Sequence, residues 1–205
     1  MLRSGYDEPL MLSATLLLDA RSGAAEVRAA VVSALGVVNA ARGLTFDDDG
    51  TETLDGIEYS VWTDDLDGPT ATSWVRLVDD AAARVRYLEL HAVDDVTLAA
   101  LREALALRLQ VLSHAEIDAA VRADLALVRW LGHGGIDRPY DAGVEALLAE
   151  ALYSADAEIV SGTQVSIFLL RWRALVPLVQ RTLAGATDPG QRAALAAILT
   201  ASADW

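Results

Sequence analysis

The sequence predicts an α+β fold, because strand-like segments fill its first half and helical periodicity fills its second. Apolar and polar residues alternate over residues 57–63, which is the period of a strand with one covered face. From about residue 96 onward, apolar residues recur every three or four positions to the end of the chain. Strands followed by a run of helices are typical of proteins in which helices cover one face of a mostly antiparallel sheet.

The first half is predicted in the order β-α-β-β-β-α. Residues 11–18 are short and mostly apolar, which predicts a buried strand, and Gly43 is suited to end the helix that follows. Apolar residues at helical spacing in that helix are Val27, Val31, Ala34, Leu35 and Val38. The run Asp47-Asp48-Asp49-Gly50 predicts a turn. The remaining predicted strands, separated by turn signals as in an antiparallel meander, are residues 57–63, 72–78 and 85–92.

The second half is predicted to be all helical, with four or five helices that begin at capping residues. Ser113 and Glu116 form a capping-box pattern, and Asp188 followed by Pro189 is typical of a helix start. Residues 157–172 carry apolar side chains on two opposite sides, so we expect this helix to be the central one. We predict two domains that pack against each other. They are residues 1–112, the α+β domain, and residues 113–205, the helical domain.

Residues 174–199 resemble a single HEAT repeat. A proline stands in the first of two helices, an aspartate in the turn, and an arginine with small apolar residues in the second helix. The resemblance implies that these two helices pack as a pair. One repeat cannot stack into a solenoid, so the resemblance implies little about function.

Composition excludes several classes of chemistry. All sixteen cationic side chains are arginine, and the chain has no cysteine, so catalytic lysines, thiol nucleophiles and thiolate metal sites are excluded. A net charge of −14 disfavours nucleic acid, whose phosphates require clustered positive charge. The apolar run over residues 10–18 is too short for a membrane span, and the three histidines match no metal-ligand spacing. We expect no cofactor, no metal ion, no membrane partner and a cytoplasmic location.

The strongest local signal is an excess of carboxylates between Arg42 and Arg76, where nine acidic side chains stand without a cationic one. Tyr59, Trp62 and Trp74 lie in the same stretch, and aromatic side chains are enriched among the residues that dominate protein interfaces. We predict one anionic surface that binds a basic protein, with Trp62 exposed on the face that carries the charges. The predicted partner-binding residues are Asp47, Asp48, Asp49, Glu52, Asp55, Glu58, Tyr59, Trp62, Asp64, Asp65, Asp67 and Trp74.

The leading functional hypothesis is a protein without catalytic residues that neutralises or escorts a basic partner, as immunity proteins and secretion chaperones do. One alternative is an enzyme or small-molecule-binding protein with a pocket between the sheet and the helices. Its polar residues would be Asp19, His91, Arg171 and Arg173. Another alternative is a structural subunit of a larger assembly, in which apolar helices and Trp205 form the contact. The sequence does not define the oligomeric state.

Overall fold

The computed structural model of this chain describes residues 12–19, 23–64, 73–136 and 138–205. It has a five-stranded antiparallel sheet in the N-terminal half and helices in the C-terminal half, which confirms the predicted α+β class. The chain divides into two compact units. The first runs to Asp80 and resumes over Arg86–Val111, and the second comprises Ala81–Val85 and Leu112–Trp205.

The sheet unit is built from five strands and two helices. In chain order they are β1 (Leu12–Leu17), α1 (Ala24–Arg42), β2 (Phe46–Leu54), β3 (Ile57–Asp64), β4 (Ser73–Asp80), β5 (Val85–Ala92) and α2 (Asp95–Ala106). The strand order across the sheet is β1-β5-β4-β3-β2, so β2 forms one edge. The predicted turn at Asp47–Gly50 was wrong, because these residues lie within β2 and pair with β3. The sheet therefore has one strand more than the sequence pattern predicted.

The two helices of this unit cover one face of the sheet and close its hydrophobic core. All five apolar residues predicted for α1 are buried. They pack with residues of the strands such as Val75, Leu88 and Leu90, and with Leu101 of α2. Gly43 ends α1 in the left-handed conformation, as predicted. Among the described helices, α1 is long and apolar enough to cross a membrane by length and composition, a property shared with core helices of soluble proteins and with signal sequences.

The helical unit is organised around one central helix. Its helices are α3 (His114–Ala123), α4 (Arg129–His133), α5 (Ala142–Leu152), α6 (Ala157–Leu170), α7 (Val176–Gly185) and α8 (Pro189–Ala201). Helix α6 packs against α4, α5 and α8, which confirms its predicted central position. Its two predicted apolar sides are buried unequally: Ile167 and Leu170 on one side are buried, whereas Phe168 on the other side is 42% exposed. Helices α7 and α8 pack against each other, as the HEAT-like pattern implied.

Local capping chemistry starts α3 and α8 where the sequence predicted. Ser113 accepts a hydrogen bond from the N–H of Glu116, whose carboxylate accepts one from the N–H of Ser113. Asp188 accepts a hydrogen bond of 2.7 Å from the N–H of Gln191 at the start of α8. Each cap involves residues only three positions apart, so the signal is complete within a short stretch of sequence.

Candidate partner-binding site

The acidic stretch forms a hairpin at the edge of the sheet. Strands β2 and β3 pair up to Leu54 opposite Ile57, which leaves Asp55 and Gly56 as a two-residue turn. Their φ angles of 53° and 82° are both positive, as a type I′ hairpin turn requires. An Asp-Gly pair between apolar residues is a strong hairpin signal, and it identifies β2 from the sequence.

Three carboxylates of β2 lie on the face of the sheet opposite α1 and α2, which we call the helix-free face of this unit. Asp47 stands opposite Thr63, and Glu52 stands opposite Tyr59. A β-bulge in β2 brings Asp49 to the same face, where it accepts a hydrogen bond from the Thr63 hydroxyl. All three carboxylates are exposed, and none forms an ion pair within the described part of the chain.

Two other carboxylates of the hairpin lie on the helix-covered face and have structural partners. Arg28 of α1 donates hydrogen bonds to both carboxylate oxygens of Asp48, and with the N–H of Gly50 it lowers the pKa of Asp48 below its ordinary value. Asp64 is 2% exposed and accepts a hydrogen bond of 2.7 Å from the N–H of Thr45. Neither carboxylate is therefore available to a partner in the way we predicted.

The predicted exposure of Trp62 is wrong. Its side chain is 2% exposed and lies in the core opposite Val75 of β4. Ser60 and Asp64 share this buried face, and both are hydrogen-bonded: Ser60 accepts from Arg28, and Asp64 accepts from a main-chain N–H. Two of the three buried positions of β3, Ser60 and Asp64, are polar. The alternation of polar and apolar residues therefore suggested that the opposite face of the strand was the buried one.

The other two predicted aromatic residues do lie on the helix-free face of the sheet. Trp74 stacks on His91 with ring centroids 3.8 Å apart. The Arg76 guanidinium lies 5.3 Å from the ring centroid of Trp74 and 5.7 Å from that of Tyr59, and it pairs with Glu89. Partial burial lowers the pKa of His91. The β2 part of this face is therefore anionic. The β3 and β4 part instead carries aromatic rings around Arg76, whose charge is balanced by Glu89.

The hairpin presents carboxylates on both faces and at its tip. Asp55 is exposed in the turn, and Glu58 is exposed on the helix side of β3. Asp65 and Asp67 lie outside the described residues. The single anionic face that we predicted is therefore wrong, since the charges surround one edge of the sheet. We define the acidic hairpin edge as the exposed carboxylates without an ion pair among the described residues: Asp47, Asp49, Glu52, Asp55 and Glu58.

The residues proposed for an enzymatic site do not form a cluster within the sheet unit. Asp19 is buried beside a cavity of about 90 Å³, well below the volume of ordinary ligand sites. His91 pairs with Ser13, six residues before Asp19 along β1, which corresponds to about 20 Å of strand. Arg171 and Arg173, in the helical unit, are both exposed. The described residues contain no group of three or more His, Asp or Glu side chains placed to hold a metal ion.

Comparison of this chain with protein-family models, with curated proteins and with solved structures finds no match. Its function is therefore inferred from the geometry and charge described above.

Proposed function

We propose that this protein binds a basic protein through its acidic hairpin edge, without catalysis, and that it neutralises or escorts that partner. The observation that carries the proposal is the position of the charge: five exposed carboxylates lie on an edge hairpin and have no ion pair among the described residues. Five like charges on one hairpin raise the local negative potential. A cationic partner relieves that repulsion and is attracted over a Debye length of about 8 Å at physiological ionic strength.

An extended basic segment fits this edge better than a compact basic surface does. Among the described residues, no strand pairs with the outer side of β2. The N–H groups of Phe46 and Gly50 already donate to the side chains of Asn39 and Asp48, so a further strand would bond the remaining main-chain groups of β2. Side chains alternate between the two faces of β2, with Asp47 and Glu52 on the helix-free face. Arginine or lysine at alternate positions of the added strand would stand beside these carboxylates, and each such pair contributes about 0.2–1 kcal/mol.

The same charges make the binding selective. An exposed edge strand is prone to pair with a second copy of itself, and charged side chains oppose that pairing. Two copies of β2 would bring Asp47, Asp49 and Glu52 against their own like charges, whereas a basic strand meets opposite charges. The edge therefore rejects self-association and admits a cationic segment.

A charge-matched pair of variants tests the proposal. The first variant is Asp47→Asn, Asp49→Asn and Glu52→Gln, on the helix-free face of β2. The control is Glu103→Gln, Glu150→Gln and Asp204→Asn, three exposed carboxylates outside the hairpin. Both variants change the net charge by the same amount. The probe is a fluorescent peptide of alternating arginine and threonine, measured by anisotropy at low and at physiological salt.

We expect the hairpin variant to bind the peptide about tenfold more weakly than the native protein, since three cross-strand charge pairs are lost. The control should change affinity far less. Amide chemical shifts should move along β2 and β3 when the peptide is added. Equal weakening in both variants, or shift changes that leave β2 unaffected, would show that the peptide responds only to overall charge and would overturn the proposal.

A further inference from the structure

The helical unit contains a cleft at the N-terminal ends of α6 and α8. It has a volume of about 480 Å³, within the range of small-molecule sites, and it is lined only by residues of this unit. Its apolar lining residues are three alanines and Val160, all of them small. Its polar lining side chains are those of Ser154, Ser161, Gln164, Asp188 and Gln191, and Gly190 contributes its main chain.

Gln164 is the residue that indicates a ligand. Its side chain lines the cleft, the residue is only 9% exposed, and its amide nitrogen has no hydrogen-bond partner within the described structure. A buried donor without a partner destabilises the folded protein, because it has lost its hydrogen bonds to water. The nitrogen itself is buried, and because the terminal torsion of glutamine is broad, rotation of the carboxamide would turn this donor toward a group held in the cleft. An acceptor atom supplied by a ligand would remove that destabilisation.

Further donors surround the same space. Gly190 lies in the first turn of α8, where main-chain N–H groups have no intrahelical acceptor. Ser161 and Gln191 add a hydroxyl and a second carboxamide. Gln191 uses its main-chain N–H to bond Asp188, which leaves its side chain for other contacts. The cleft is thus rich in donors and contains primary amides that both donate and accept.

The lining disfavours an anionic ligand on grounds of charge, and a cationic group would offer no acceptor to the unpartnered donor of Gln164. No arginine lines the cleft, and Asp188 is its one charged residue. Asp188 already accepts a hydrogen bond at the start of α8, so it satisfies the positive end of that helix dipole. An anionic ligand would meet this carboxylate without a compensating cation. A neutral carbonyl group gains the available donors without that repulsion.

We propose that this cleft binds an uncharged amide, held by paired hydrogen bonds between the ligand amide and the carboxamide of Gln164. A primary amide offers a carbonyl acceptor and an N–H donor side by side, and an extended peptide residue offers its own N–H and C=O on one side, so either can match the donor and acceptor of a glutamine side chain. Small alanine side chains beside the polar groups leave room for the substituents of the amide. This site is independent of the acidic hairpin edge, which belongs to the other unit.

The test uses the full chain labelled with ¹⁵N and three probes. N-acetylalanine N-methylamide represents a peptide segment, acetamide represents a small carboxamide, and sodium acetate represents an anion of similar size. We expect saturable shifts of the side-chain NH₂ resonances of Gln164 with an amide probe and none with acetate. Tighter binding of the blocked alanine than of acetamide would identify a peptide segment as the source, and the reverse order would identify a small carboxamide.

Two variants separate the ligand contact from nonspecific effects. Gln164→Met keeps the length of the side chain and should weaken amide binding by about tenfold, the equivalent of roughly 1.4 kcal/mol. Gln180→Met changes an exposed glutamine on α7 and should leave binding unchanged. Gln164→Met should also melt at a higher temperature than the native protein without ligand, because it removes the unpartnered donor. Absence of saturable binding, preference for acetate, or unchanged binding by Gln164→Met would each overturn the proposal.

Discussion

Arg28 on α1 donates hydrogen bonds of 2.9 and 2.7 Å to the two carboxylate oxygens of Asp48 on β2. The same guanidinium bonds the Ser60 hydroxyl and lies 5.6 Å from the ring centroid of Trp62. One cation thus joins the helix layer to the edge hairpin, although 20 positions separate the two residues in the chain. This pairing neutralises a charge that faces the helices, while the acidic hairpin edge keeps its charges for a partner outside the unit.

Asp48→Asn should destabilise the protein at neutral pH by no more than about 1 kcal/mol, because this ion pair is partly exposed to solvent. Arg28 holds the folded-state pKa of Asp48 below 3.8, so its contribution is fully present above that value. The contribution declines as the pH falls through the folded-state pKa. Urea unfolding at neutral and at strongly acidic pH should show the difference between native protein and variant shrinking in acid. A difference that grows in acid would contradict this assignment.

Trp62→Phe should cost less stability than Trp172→Phe, although both residues are buried. The indole N–H of Trp62 has no partner among the described residues. The indole N–H of Trp172 donates a hydrogen bond of 2.9 Å to the carbonyl oxygen of Arg138. Loss of that bond should make Trp172→Phe more costly by about 1 kcal/mol. Chemical denaturation of the two variants gives the comparison. An equal or larger cost for Trp62→Phe would indicate a partner for its indole.

Gly132→Ala and Gly36→Ala should change stability in opposite directions. A Cβ on Gly132 would lie 2.6 Å from the Cα of Ser166, so α4 and α6 would have to separate, at a cost of about 2 kcal/mol. Gly36 lies in the exposed part of α1 with no atom within 4 Å of the added carbon. Its replacement should stabilise the helix by about 1 kcal/mol. Melting temperatures below and above that of the native protein, respectively, are the expected result.

Arg138→Met should lower the free energy of unfolding by about 3 kcal/mol, because it leaves the carboxylate of Asp118 without its buried partner. The two residues form paired hydrogen bonds of 2.6 Å, and the Arg138 side chain is 7% exposed. Arg84→Met is the control. Both side chains of the Arg84–Asp124 ion pair are exposed, so the pair should contribute less than about 1 kcal/mol to the free energy of unfolding. Similar losses in the two variants, measured by urea unfolding, would contradict the distinction drawn from burial.

Much of the fold could be predicted because its signals are local. The apolar stripe that α1 buries, the Ser113 capping box and the Asp188 cap each depend on residues a few positions apart. The edge strand β2 was mistaken for a turn because its charged residues are unusual in a strand, although Asp55-Gly56 marked the hairpin. The acidic stretch was likewise visible in the sequence, but its division between two faces was not, since that division follows from the register with β3.

The sequence by itself determined the class of fold, the starts of α3 and α8 and the excess of negative charge, because each is a property of neighbouring residues. Only the tertiary structure decided that Trp62 is buried, that Asp48 is neutralised and that Gln164 lines a cleft. Those outcomes depend on hydrogen bonds and packing between distant positions, such as Arg28 with Ser60, 32 positions apart. A buried polar residue is stable wherever the fold supplies its partner, and a pattern of alternating polarity does not record that partner.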